Sequence, residues 1–476
     1  MERTSSAAGL HPSEGSRLRA NRLGVLAIAF FVIAAAAPIA AVVGASPVIF
    51  SASGAGTPAI YALAALLIAL FSVGYLRMSR EIANAAGFVA YIAKGLGSQW
   101  ASGAAGIAVL TYLSLQSGLW AQFGAFAQQL VTGLGGPNIP AYLWIVAALV
   151  LTTSLTIRGV DASLKVLGVL IVAETLVIAT LVTALIIQHG WGIFAFKGFT
   201  PQAVFGPGLG ISLLFAFTCF TSFEATVVFS EEAINPRRTI PRALYLVIGF
   251  VGVFYAFSTW AISGAIGIDK IQAAASEDPA GLVFTLAKAS AGPWLSTAMQ
   301  ILVVTSFIAM LLGLSNMFSR YLFALGRAGT LPAMLSNTNR RGAPSTAALV
   351  NGIGILLVIT AFFSFGADPI TTVFAWLVAL GTAGFITILI LTSIAIIIYF
   401  ARHQPAENPW ATRIAPVLSS IAFLLIGYLA ISNYDALLGG AGGIAKWLLL
   451  LIPAAFFIGL LITFRKPHID YLDSGI

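Results

Sequence analysis

The sequence predicts an all-α polytopic membrane protein of twelve transmembrane helices, and three observations lead there. The 476 residues are 59% hydrophobic and only 8% charged, a balance that a water-soluble chain of this length has too little surface to hide. No charged residue falls between Arg22 and Arg77, which leaves room for two spans of about 20 residues each. Lys and Arg are divided very unevenly between alternate loops. The apolar runs are solid instead of alternating with polar residues, so backbone polar groups are satisfied within helices and not around a β-barrel.

Taken in order, residues 1–23 are polar and basic and lack a small-residue cleavage site before the first apolar run. They read as a cytoplasmic N-terminal tail, not a removed signal peptide. Apolar runs bounded by charges and turn residues then place helices near 24–52, 57–77, 100–132, 140–157, 162–188, 208–230, 242–266, 293–323, 344–364, 369–400, 414–434 and 444–464. Residues 465–476 form a short C-terminal tail. With this map, twenty of the 24 basic residues fall on one side, and only Lys197, Lys270, Lys288 and Lys446 on the other. Cytoplasmic loops carry the Lys and Arg excess, so both termini are expected in the cytoplasm of a multi-pass protein of the inner or plasma membrane. The net charge of +8 is explained by these short loops, with no basic face for nucleic acid. Cys219 is the single cysteine, which excludes a disulfide framework and a zinc cluster of cysteines.

Function is sought in what remains polar inside the spans. An ionised carboxylate at the bilayer centre costs roughly 2.5 to 3.5 kcal/mol on insertion scales, and only Glu174 in helix five and Glu224 in helix six incur it. Each reads either as a proton-handling group or as a protonated acid bonded to a neighbouring helix. Glu231 lies seven residues beyond Glu224, on the same face, while pairing with Arg237 and Arg238 explains Glu231 and Glu232 equally well. Helix six carries Phe217, Thr218, Cys219, Phe220, Thr221 and Ser222 where smooth hydrocarbon is expected. Helix one carries Ala37-Pro38 and then Val43, Gly44, Ala45, Ser46 and Pro47, where two prolines and a glycine undercut continuous hydrogen bonding.

Interrupted helices in corresponding places of two halves mark transporter binding sites, because they expose main-chain N–H and C=O groups to a ligand. A zwitterion suits such a site, its carboxylate at a helix N-terminus and its ammonium on carbonyls and hydroxyls. Pro and Gly are also ordinary at close-packed or kinked places in membrane helices. Gln116 and Ser117 in helix three, and Ser315, Asn316 and Ser319 in helix eight, either line a cavity beside the breaks or hydrogen-bond between helices. An intramembrane enzyme needs a nucleophile with its base or a metal set, and the spans hold neither. No Gly-rich phosphate loop follows a strand, so ATP-driven transport finds no support. A sensor that binds without transporting stays open.

Three segments resemble the amino acid-polyamine-organocation superfamily, the amino acid permeases. The run Phe220 to Ala225, continued by Glu231 to Ala243, is similar to that family's helix six and following loop. Ser319 to Pro332 with Arg340 to Pro344 is similar to its loop after helix eight. Met78 to Glu81, Asn84 to Gly87 and Tyr91 resemble its loop after helix two. The resemblance implies a leucine-transporter-like fold. Two inverted five-helix repeats, 24–188 and 208–400, are followed by two accessory helices over 414–464. It places an amino acid between the breaks of helices one and six, among Val42, Val43, Gly44, Ala45, Ser46, Phe217, Thr218, Cys219, Phe220, Thr221, Ser222 and Gln116. Glu174 then stands where some proton-coupled relatives carry a lysine, and with Glu224 it is the candidate for proton coupling. No cofactor or bound metal is implied. The coupling ion is expected to be H+, with Na+ open because this fold builds a sodium site from carbonyls and hydroxyls. The expected activity is secondary transport of a neutral amino acid by alternating access. Exchange and polyamine or cationic amino acid transport are the alternatives.

Overall fold

The computed structural model describes residues 23–82, 87–159, 164–228, 233–403, 408–432 and 447–465. Among these residues the chain is helical, and its one β-feature is an isolated bridge between Leu23 and Ala233. Helices α1 (Val25–Ala36), α2 (Pro38–Ala40) and α3 (Ser46–Ser53) follow one another, with a π-turn at Ala41–Ala45 between α2 and α3. Next come α4 (Thr57–Ser79), α5 (Gly87–Leu96), α6 (Ser98–Gly133), α7 (Ala141–Ile157), α8 (Leu164–His189) and the single turn α9 (Pro201–Val204). A second interrupted stretch comprises α10 (Leu209–Thr218), a 3₁₀ turn at Thr221–Glu224 and α11 (Ala225–Val228). The remainder is α12 (Pro236–Ile266), α13 (Ile271–Glu277), α14 (Leu282–Ala291), α15 (Pro293–Arg327), α16 (Ser345–Ser364), α17 (Ala375–His403), α18 (Ala415–Ser432) and α19 (Leu451–Arg465).

By length and apolarity eight stretches are able to cross a membrane, or nine when α10 and the helical residues Thr221–Val227 beyond their 43° bend count as one. The first of them runs from Val25 to Ser79, 55 residues. A straight helix of that length would measure about 80 Å against a hydrocarbon layer of about 30 Å. It is not straight. Gly54 turns at φ 50°, a region that only glycine enters without strain. Ser46 Oγ and Tyr61 Oη, fifteen positions apart in sequence, then meet at 2.9 Å. The arms on either side of Gly54 are therefore antiparallel neighbours.

Helix α6 is the spine of the bundle, packed by α5, α7, α15, α17 and α19. Small residues allow this crowding. A Cβ added to Gly106 would lie 2.1 Å from the carbonyl oxygen of Ala455, and one on Gly459 would lie 2.1 Å from that of Ser102. Backbones that approach so closely gain dispersion contacts that larger side chains would prevent, the usual basis of helix association in lipid. Large apolar residues such as Leu424, Leu425, Phe457 and Leu461 face outward, as a lipid-facing surface requires.

The helices overlap the stretches expected from sequence, most of them to within a few residues, and further helices appear at two places. Helix α5, in a stretch read as loop, is buried through Phe88, Val89, Ala90, Tyr91 and Ile92. The segment after α12 contains α13 and α14, too short and too interrupted by charge to register as spans. Residues Asn84, Glu231 and Glu232, singled out above, lie outside the described residues. Gly106→Leu should force α19 off α6 at a cost of about 1–3 kcal/mol for overpacking, read as a lower unfolding temperature of the detergent-solubilised protein; an unchanged midpoint would refute the close crossing.

Candidate substrate site at two broken helices

Pro38 has no N–H, and its ring disfavours the right-handed helical conformation for the residue before it. Ala37 accordingly adopts the left-handed conformation, φ 46° and ψ 71°. Such backbone costs roughly 1–3 kcal/mol and persists only where its surroundings hold it. Two side chains do so here, one on each side of the break. Tyr255 of α12 donates its hydroxyl to the carbonyl of Ala36 at 3.4 Å, closing the end of α1. Glu174 of α8 accepts the N–H of Ile39 at 3.2 Å, capping the start of α2. A carboxyl at a helix N-terminus meets both an unpaired donor and the positive end of the helix dipole. Ser306 of α15 is a second hydrogen-bonding neighbour of Glu174.

The sharp interruption thus falls at Ala37-Pro38, the first of the two places named from sequence, while at the second, which the family resemblance favoured, the helix only widens into a π-turn. Val42, Val43, Gly44, Ala45 and Ser46 are all buried, the first four within the π-turn and Ser46 at the start of α3. Pro47 follows the π-turn directly, where the bonding has already shifted to the wider register, the Ser46 N–H reaching the carbonyl of Ala41, so its missing N–H is absorbed by the turn. That is why it does not break the chain.

The second interruption follows Thr218 as expected. Cys219 and Phe220 link α10 to the 3₁₀ turn, and Thr221 returns its hydroxyl to the carbonyl of Thr218 at 2.9 Å. Thr218 Oγ1 meets Thr382 Oγ1 of α17 at 2.5 Å. Tyr61 joins the two interrupted stretches, its hydroxyl 2.9 Å from Ser46 Oγ and 3.8 Å from Cys219 Sγ. Phe220 presents its ring to Tyr255 with centroids 6.0 Å apart, and Tyr255 in turn lies 5.1 Å from Tyr61. Ser222 is buried beside them in sequence.

The interrupted stretches also lie together at both ends. Ser53 Oγ and Ser212 Oγ are 2.7 Å apart, joining α3 to α10. At the opposite end Ile234 donates its N–H to the carbonyl of Leu23 at 2.9 Å. Near that end Glu224 accepts the hydroxyl of Tyr112 from α6, and Tyr112 packs against Phe318 and Tyr321 of α15. Phe71, Tyr75, Phe88, Phe223 and Phe385 fill the space around it with ring centroids 5.2 to 6.5 Å apart in contacting pairs.

Two of the residues expected at the site turn away from it. Gln116 receives hydrogen bonds from Ser315 at 3.4 Å and Asn351 at 3.2 Å, so its amide ties α6 to α15 and α16. Phe217 stacks edge-on to Phe423 of α18 at 5.6 Å. Conversely, Tyr61, Tyr112, Tyr255, Ser306 and Thr382 were not legible as site residues, because a lone Tyr, Ser or Thr in an apolar helix carries no partner information. A cavity of about 700 Å³ opens elsewhere, lined by Ala125, Gln128, Asp368 and Thr371 among others. It lies at the end of α6 away from Tyr112. Hydrogen bonding rather than empty volume marks the space between the breaks.

Interrupted helices held face to face inside an apolar multi-helix bundle define a multi-pass membrane protein of the transporter class. Residues 23–467 match the family model described as amino acid permease, and the chain belongs to that family. It is 27% identical over 395 residues to the branched-chain amino acid permease of Lactococcus lactis subsp. cremoris, covering 78% of this chain and 81% of that protein. The aromatic amino acid transport protein of Escherichia coli K12 is 25% identical over 236 residues, 47% of this chain and 50% of that one. A polyamine transporter of Oryza sativa subsp. japonica is 25% identical over 242 residues, 50% of this chain and 42% of that protein. The protein is a permease and not an enzyme.

Glu174→Gln keeps an acceptor for the Ile39 N–H and should fold with little loss. Glu174→Leu orphans that donor and should cost about 1–3 kcal/mol. Comparing the two melting temperatures checks this, and equal values would show that the cap contributes nothing.

Proposed function

We propose that this permease carries a neutral amino acid across the cell membrane by alternating access, in symport with a proton. Twelve spans serve it. The eight long stretches and the bent pair supply nine, the reversal at Gly54 divides the first in two, and the apolar helices Ala141–Ile157 and Leu451–Thr463 complete the set. Helices one to five (24–188) and six to ten (208–400) form two inverted repeats, backed by accessory helices over 414–464. Both termini are cytoplasmic, following the twenty-to-four division of Lys and Arg.

The observation that carries this reading is the double cap on the first break, with Glu174 on the Ile39 N–H and Tyr255 on the Ala36 carbonyl. Glu174 occupies a donor suited to a substrate carboxylate, so protonation of Glu174 weakens its hold on that N–H and frees it. Proton and amino acid then favour one another's binding, and symport is the consequence. Between the breaks, Ser46, Val42, Val43, Gly44, Ala45, Thr218, Cys219, Phe220, Thr221 and Ser222 offer hydroxyls, main chain and apolar surface. None is charged, which suits a neutral side chain. Both buried carboxyls have partners, Glu174 in Ile39 and Glu224 in Tyr112, so neither is left for a polyamine or a cationic side chain. The branched-chain and aromatic transporters among the relatives agree in substrate class. Glu224 and Tyr112, with the aromatic residues around them, form the inner gate.

Purified protein in proteoliposomes should accumulate radiolabelled leucine or phenylalanine, faster with an inwardly directed proton gradient. Glu174→Gln should still exchange the same amino acid across the membrane while losing the response to the gradient. A normal gradient response in that variant removes Glu174 from coupling. Binding of amino acids without any uptake by the wild type makes the chain a sensor.

A further inference from the structure

Gln122 of α6 is 2% exposed, and its side-chain Nε2 has no hydrogen-bond partner among the described residues. An orphaned buried amide donor is costly, and such exceptions in native folds call for a reason. Its position supplies one. The amide lies against the π-turn of the first broken helix, where a Cβ added to Gly44 would stand 2.7 Å from Nε2. On the same face of α6, at helical spacing, Gly118 precedes it and Ala125, Gln129 and Thr132 follow. Ala125, Gln129 and Thr132 line the 700 Å³ cavity. On the facing element Ile370 and Thr371 line that cavity too, while Phe374 and Val378, about one and two turns on, close against Gly118. Gln122 therefore lies about one turn of α6 beyond the cavity's lining, on the side of the first broken helix, with Gly44 against it.

We propose that Gln122 is a specificity-determining residue, whose Nε2 donates to the carboxylate of an amino acid passing from this cavity toward the breaks. The assignment rests on the permease reading above. A neutral amino acid with an apolar side chain presents one hydrogen-bond acceptor, its carboxylate. An uncharged amide donor recognises that group without holding it as a buried cation would. Glycine at position 44 leaves the amide room to lie on the helix-one backbone. Sequence position places the cavity at the Lys- and Arg-poor end of α6, so the carboxylate is read on entry from outside.

The test is uptake in proteoliposomes of whichever of leucine, phenylalanine or alanine the wild type accumulates, by wild type, Gln122→Leu, Gln122→Glu and Gly44→Ala. Isoamylamine, which is leucine without its carboxylate, serves as competitor. Gln122→Leu should raise KM about tenfold, the loss of one hydrogen bond to a charged group, with maximal rate changed less than twofold. Gln122→Glu, nearly isosteric but without the amide donor, should raise it further, and Gly44→Ala should act in the same direction by displacing the amide. The preference for leucine over isoamylamine should shrink in the Gln122 variants, which a packing role would not produce. Gln122→Glu that folds, by size-exclusion profile, and keeps the wild-type KM and preference overturns the assignment alone. A wild type that accumulates none of the three amino acids overturns both this assignment and the permease reading.

Discussion

Every feature of this protein answers to one constraint, that a backbone N–H or C=O placed in hydrocarbon must find a partner within the protein. Continuous helices meet it automatically. The two interruptions do not, and each is held by side chains that converge from other helices. Tyr255 and Glu174 close the two sides of the gap at Ala37, while Thr221 and the Thr218–Thr382 pair secure the second gap. The same side chains that make the breaks tolerable also fix where the breaks are and which groups surround them. Stability and site geometry are thus specified by one set of contacts.

The apolar helical stretches were legible because they depend on composition alone. Charge-free runs locate the helices before any tertiary contact is considered. Glu174 and Glu224 were equally legible, since an acid in an apolar run needs a reason whatever surrounds it. The register of the first break was not. Gly44, Ala45, Ser46 and Pro47 look the weaker stretch, yet a π-turn carries the helix through them, while before Pro38 the chain turns to the left-handed conformation at Ala37. Tyr255 and Tyr61 escaped notice because tyrosine is common in membrane helices, and only the fold shows whose carbonyl or hydroxyl it meets. Gln116 and Gln122 make the point most directly. Six residues apart on one helix, they have the same chemistry, but Gln116 is bonded on to two neighbours and Gln122 has an unused donor.

The two ends of the bundle differ in kind. At one, a cavity opens between α6 and the turn Pro369–Phe374, with Gln128, Gln129, Thr132, Asp368 and Thr371 among its walls. At the other, aromatic rings interlock about Phe223, and Tyr112 reaches Glu224. The polar groups on that wall are able to meet water, whereas packed rings exclude it. Small residues on α6 let its neighbours stand close along its whole length, and this keeps the spine in place while the interrupted helices on its flank carry the adjustable contacts.

The short main-chain bridge from Leu23 to Ile234 has a mechanical corollary. It fastens the root of one interrupted helix to the segment leaving the other through main-chain atoms alone. A tether of that kind yokes the two half-helices at one edge, so neither swings outward alone. On the alternating-access proposal, release at that edge is a joint event for both half-helices.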